Sequence, residues 1–216
     1  MKVTIIYDNS TYDQELMSDW GFSALVEVEE VPTVLFDTGA DGEILINNMA
    51  RLGIDPEAID ELFISHEHYD HTGGMGKFMD ANGKAEIYAP PAFSPPGKGR
   101  NPRLSVLKEP TKINEKMFST GELEGIEQSL GVLTEKGIML IVGCSHPKME
   151  NILNTARSYG QIYGIIGGLH GFSRYEQFKG LELICPTHCT QHKAEIKERY
   201  PEKYIRGGAG KVLEIE

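Results

Sequence analysis

The sequence predicts a single domain of mixed α and β structure, with its chemistry at the ends of strands. Three observations predict it. Short apolar, β-branched runs such as VTIIY (3–7) and GIMLIVG (137–143) alternate with segments of helical spacing. The 216 residues, 40% of them hydrophobic, suffice for one core without disulfide or metal staples. Four apolar strands each run directly into a histidine: His66, His146, His170 and His188. Strand ends that project side chains into a common mouth are a recurrent way for such scaffolds to build sites.

The elements follow in order. VTIIY (3–7) is a strand, SALVEVEE (23–30) alternates as a half-buried strand, and TVLFD (33–37) pairs with it through Val31-Pro32-Thr33. ILINNMARLG (44–53) has helical spacing and stops at Gly53. ELFIS (61–65) and AEIYA (85–89) are strands. Residues 90–116 are dense in Pro and Gly and read as a long loop or lid. Strands resume at SLGVLTE (129–135) and GIMLIVG (137–143) around a Glu135-Lys136-Gly137 turn. KMENILNTARSYG is a helix, IYGIIG (162–167) and LELICP (181–186) are strands, and TQHKAEIKERY (190–200) is a helix with Thr190 as its N-cap. KVLEIE closes the chain as a strand.

The formal charge of −11 disfavours nucleic acid and anionic membranes as partners. The three cysteines, Cys144, Cys185 and Cys189, make a poor disulfide framework and fit a reducing compartment. MKVTIIYDNS has no signal-peptide pattern, and no apolar run approaches the roughly 20 residues that span a bilayer. The expectation is a cytoplasmic protein. Cys144 in GCSH and Cys189 in THCT lie beside histidines, which leaves a site-adjacent role open, and both read as small packing residues rather than nucleophiles. His192, on a polar helix, reads as solvated.

The most informative stretch is SHEHYDHTGG (65–74). After a strand, residues i and i+2 share a side, so His66 and His68 can hold one metal together. Asp70 and His71 then fall where a loop enters a helix and can face a second metal. Burying so many imidazoles and an acid without a metal is costly. Imidazole and carboxylate donors suit zinc and also admit manganese, iron or cobalt. Such a metal brings the pKa of bound water toward about 7.

SHEHYDHTGG, then GCSHP, then PTHCT resembles the metallo-β-lactamase superfamily, and FDTG (36–39) stands where that family has its Asp-Thr-Gly turn. The likeness extends over nearly the whole chain. YDN, DWGFSALVE, IIGGLH and THCT are similar to the dihydropterin–ribofuranosylaminobenzene-phosphate synthase-like branch. The resemblance implies an α+β fold, a four-layer αβ/βα sandwich with metals at the upper edge of two sheets. It implies that His66, His68 and His146 hold one divalent metal and Asp70, His71 and His188 a second, with Asp70 catalytic. The family's bridging aspartate is absent, because 147–187 contains no Asp; His170 is the candidate at that place. An imidazole offers one lone pair and cannot bridge as a carboxylate does. Two metals are therefore expected, or one if the missing carboxylate costs a site.

The resemblance also implies that Asp8, Asn9, Trp20 and Phe22 line the pocket. Segment 90–116 carries a net charge of +4 in an acidic chain, so Lys98, Arg100 and Arg103 are expected to draw in a small anionic substrate. The leading expectation is a metal-dependent hydrolase that uses metal-activated water on a phosphorylated small molecule. Two alternatives are a transferase joining a pterin to an aminobenzene-ribose phosphate, as the branch's name implies, and a non-catalytic metal or ligand sensor. Segment 90–116 is too short for the extra domain that nucleases of this fold carry.

Overall fold

The computed structural model describes residues 1–94 and 103–216. The chain opens with β1 (Lys2–Tyr7), β2 (Ser23–Glu27) and β3 (Val34–Phe36), an antiparallel meander. α1 (Gly42–Arg51) follows, capped by Asp41, whose side chain accepts the N–H groups of Glu43 and Ile44. Next come β4 (Glu61–Phe63), the one-turn α2 (Tyr69–Thr72), α3 (Met75–Ala81), β5 (Glu86–Ala89) and β6 (Leu104–Val106). The second half contains β7 (Thr111–Lys112), β8 (Met117–Ser119), β9 (Leu130–Thr134), β10 (Gly137–Val142), α4 (Met149–Arg157), β11 (Ile162–Gly168), β12 (Leu183–Thr187) and α5 (Lys193–Arg199). β13 (Val212–Glu214) returns to pair with β1.

Two sheets result, ordered β13-β1-β2-β3-β4-β5-β6 and β12-β11-β10-β9-β8-β7. Strand alternation builds the layers. Val34 and Phe36 point inward against Met139 and Ile141 of the other sheet, in one core between the sheets. Leu35, Leu62 and Ile64 point the opposite way and pack under α1 and α3 through Leu45, Met49 and Phe78. Leu140 and Val142 pack under α4 and α5 through Ile152, Leu153 and Ile196. The expected α+β sandwich with outer helices is present. No helix among the described residues is long and apolar enough to cross a membrane.

The described part of 90–116 holds two short strands within the expected loop. β6 adds in parallel to the edge of the first sheet, and β7 pairs with β8 at the edge of the second, so the chain changes sheets here. Backbone pairing at a sheet edge tolerates polar side chains, which is why composition alone read as loop. Thr190 does not cap α5, which begins at Lys193. Its hydroxyl donates to Thr187 O and accepts Leu169 N–H, tying β12 to the end of β11.

In each sheet the strands that lead into Asp37 and the histidines run parallel: β3 with β4, and β10 with β11 and β12. Their C-terminal ends meet at one edge of the sandwich. Two glycines permit the close approaches there. A Cβ on Gly73 would stand 2.1 Å from Ala40 O, so only glycine lets α2 seat against the turn after β3. A Cβ on Gly168 would stand 2.4 Å from Gly143 O and 2.7 Å from Cys189 Sγ.

Candidate metal centre

Asp37, at the end of β3, organises the first motif from underneath. It is fully buried. Its Oδ1 accepts Ser65 N–H at 2.7 Å, and its Oδ2 accepts both the Ser65 hydroxyl and the His71 Nδ1–H at 2.7 Å. Burial pushes its pKa well up, while the Ser65 donors pull it back. These bonds decide tautomers. With Nδ1 donating to Asp37, the neutral His71 ring presents a lone pair at Nε2. Ser65 Oγ gives its proton to Asp37 and accepts from His66 Nδ1 at 2.9 Å, so His66 also presents a lone pair at Nε2.

His188 is fixed the same way from the other sheet. Its backbone is left-handed (φ 45°), and its N–H is accepted by Asp8 Oδ2 at 2.9 Å. Asn9 Oδ1 accepts Gly21 N–H and His188 Nδ1–H, and Asn9 Nδ2 donates to His188 O. The amide orientation is thereby set, and His188 Nε2 also carries a lone pair.

The donors converge. His71 Nε2 lies 3.2 Å from His188 Nε2, and Asp70 Oδ2 lies 3.2 Å from His188 Nε2 and 3.8 Å from His71 Nε2. Donors around a tetrahedral ion with bonds of about 2.0–2.1 Å stand roughly 3.3 Å apart. The rings of His66, His68 and His146 form a second group, with centroids 4.6 to 4.9 Å apart. His66 Nε2 and His146 Nε2 are buried without a hydrogen-bond partner. His68 is exposed at the mouth. Lone pairs facing one another and orphaned buried imidazole nitrogens are unfavourable without a cation. The residues present therefore fit a divalent metal.

The electrostatics agree. Burial and neighbouring imidazoles hold His66 and His71 well below the ordinary histidine range and bring His146 down to about 4. All three are neutral, as ligands must be. Burial works against ionisation of Asp70, but the adjoining His188 and His71 outweigh it and hold its pKa low.

The other expected residues divide. Trp20 is exposed and its Nε1–H donates to Asp70 Oδ2 at 2.9 Å, so it stands at the mouth. Asp8 and Asn9 position His188 from behind. Phe22 does not line the pocket: its side chain is fully buried in the core between the sheets, with its ring against Phe36. Arg103 immediately precedes β6, and Lys98 and Arg100 lie outside the described residues. His192 is paired with Glu195, away from the cluster.

Two of the cysteines lie next to the site. Cys144 and Cys189 are buried, as packing residues are, but they sit among the donors. Donor atoms of Asp70, His71, Cys144 and His188 lie within 4.8 Å of one another, as do those of His66, Cys144 and His146 and those of Cys144, His170 and Cys189. His170 is exposed, left-handed (φ 46°), with its ring 5.3 Å from that of His146.

Sequence reasoning missed Glu127. Its buried carboxylate accepts the N–H groups of Gly143, Cys144 and Ser145 at Oε1 and that of His146 at Oε2. It thus holds the whole GCSH turn, including left-handed Ser145 (φ 58°). Burial pushes its pKa up to about 7 against those donors. Beside this turn opens a cavity of about 340 Å³, lined by His146, Lys148, His170, Phe172 and Arg174 among others.

The chain belongs to the metallo-beta-lactamase superfamily, whose family model matches residues 21–146. It is 27% identical to a 7,8-dihydropterin-6-methyl-4-(beta-D-ribofuranosyl)-aminobenzene-5'-phosphate synthase of Methanocaldococcus jannaschii, over 98% of this chain and 95% of that protein. It is 29% identical to an uncharacterised protein of the same organism, over 99% and 100%. Its fold is similar to a crystal structure described as Tm1679, a metal-dependent hydrolase of the beta-lactamase superfamily, with a TM-score of 0.75, 24% identity, and coverage of 100% and 99%.

Proposed function

We propose that this protein is a metal-dependent hydrolase that directs water at a small, phosphorylated substrate. The observation that carries the reading is the convergence of Nε2 lone pairs from His66, His71 and His188, each forced by a hydrogen bond at Nδ1. His66, His68 and His146 would hold one divalent metal, zinc by preference, and Asp70, His71 and His188 the second. When bound, such metals polarise the substrate oxygen and activate water near neutral pH. Asp70, kept ionised, orients the attacking water and accepts its proton. Lys148 and Arg174, on the cavity beside His146, attract and seat the anionic group. His170 lines the same cavity, where it can donate a proton to the leaving oxygen.

The test is a panel of small phosphate esters and uncharged esters, assayed with metal-loaded and metal-free protein in oxygen-labelled water. Expected is metal-dependent turnover of phosphorylated members, with label in the product. Asp70→Asn should lower kcat by about 100-fold or more. Lys148→Ala with Arg174→Ala should raise KM for phosphorylated members at least about tenfold, with uncharged esters unaffected.

A second reading is a synthase. It is favoured by the M. jannaschii relative, whose name describes a synthase of a 5'-phosphorylated product and which aligns with 98% of this chain. On that reading the cavity seats the same phosphate, and His170 and Asp70 move protons between two organic substrates. Condensation of a pterin with an aminobenzene-ribose phosphate, with no label from water and no turnover of any ester, would replace the first reading with this one.

A further inference from the structure

We propose that the Cys144 thiolate takes the place of the missing bridging carboxylate, as a ligand shared between the two metals. This inference rests on the binuclear reading above. Cys144 is the one side chain common to the donor sets of both halves of the site, Asp70–His71–His188 on one side and His66–His146 on the other. Its Sγ lies 3.2 Å from His71 Nε2, inside the cluster and not at its rim. It is buried, and in the same pocket His66 Nε2, also buried, is left without a hydrogen-bond partner.

The chemistry favours this residue over His170. No Asp lies between 147 and 187, so no carboxylate from that segment can bridge. His170 is exposed and shares a donor set with the two cysteines, not with His71 or His66. One imidazole nitrogen has a single lone pair, whereas a thiolate sulfur has enough to bind two ions at once. A bridging thiolate also restores the negative charge that the lost carboxylate would have put between two cations. The sulfur shifts preference toward zinc or iron and away from magnesium or manganese.

The fold holds Cys144 for this purpose. Its N–H, with those of Gly143 and Ser145, is bound by Glu127 Oε1 at 3.0 to 3.1 Å. Cys189 Sγ stands 3.3 Å from Cys144 Sγ, where its thiol can donate to the bridging sulfur. Cys189 is the supporting partner because it belongs only to the set with Cys144 and His170.

The experiment loads the reduced, metal-free full-length protein with Co(II) and reads both metal per chain and the near-ultraviolet sulfur-to-cobalt charge-transfer absorption. Expected are two cobalt ions per chain with that absorption present. Cys144→Ala and Cys144→Ser should abolish it and weaken the second cobalt by at least about 100-fold, since losing an outer partner alone costs about 10–100-fold. Cys189→Ala and His170→Ala should keep the absorption. Two cobalt ions with no charge transfer in the wild type would overturn the thiolate bridge and leave the binuclear site standing. One cobalt ion with charge transfer, or absorption lost in Cys189→Ala and kept in Cys144→Ala, would overturn it as well. Failure of the wild type to bind cobalt at all would overturn the metal reading itself.

Discussion

His71 Nε2 and His188 Nε2 face each other at 3.2 Å, and neither carries a proton. Asp37 takes the Nδ1 proton of the first and Asn9 that of the second. The two rings come from different sheets, so the folded chain itself holds the repulsion that a cation relieves. Asp37 is a positioning residue for two candidate ligands, His71 directly and His66 through Ser65. Asp37→Asn should lower metal affinity by about 10–100-fold. Competition with a chromophoric chelator measures this; an unchanged affinity would show that the tautomers are set elsewhere.

Asp37 holds the His71 ring itself, whereas Glu127 positions His146 through its backbone. Its four backbone acceptances replace solvent for an otherwise unsatisfied turn. Glu127→Gln puts an amide donor against at least one of these N–H groups. It should cost about 2–4 kcal/mol in urea unfolding of the metal-free protein. A loss below about 0.5 kcal/mol would mean that the turn holds without the carboxylate.

Acid should unfold the metal-free protein partly through its buried imidazoles. His146 is lowered to about 4 from an ordinary value of 6.5, first by burial and then by the neighbouring His68 and His170. As pH falls from about 6.5 to about 4, the unfolded chain takes up a proton that the folded chain refuses, so stability is lost over that window. The raised carboxylates of Asp37 and Glu127 act with the opposite sign. Comparison with His146→Gln isolates the histidine. The variant should lose about 1–2 kcal/mol less than the wild type across the window, after allowance for solvent screening. Parallel stability curves against pH would contradict the assignment.

Trp20 is the only tryptophan, and its indole N–H is bonded to Asp70 Oδ2. A metal that engages Asp70 changes the acceptor of that bond. Trp20 fluorescence should change on zinc addition and saturate with the binding stoichiometry. Asp70→Asn should blunt the response. A zinc titration that fills the site with no change in emission would place the indole elsewhere in solution.

The sequence by itself determined the layers and much of the candidate ligand set. Alternating apolar strands dictate which faces are buried, and i, i+2 spacing after β4 puts His66 and His68 on one side, both of which are local properties. His146, His170 and His188 were legible because each directly follows an apolar strand. Tertiary structure decided the rest. Phe22 reads from sequence like a pocket residue beside Trp20, but strand alternation across the paired sheets turns it into the core. Glu127 lies in a polar stretch with no pattern, and its role exists only because β9 and β10 bring it beneath the GCSH turn. Cys144 and Cys189 are 45 residues apart and read as ordinary buried thiols. Only the parallel packing of β10, β11 and β12, with Gly168 letting the loops close, sets their sulfurs 3.3 Å apart among the histidines. Spacing along the chain encodes what one element presents, whereas contacts between strand ends depend on how whole sheets pack.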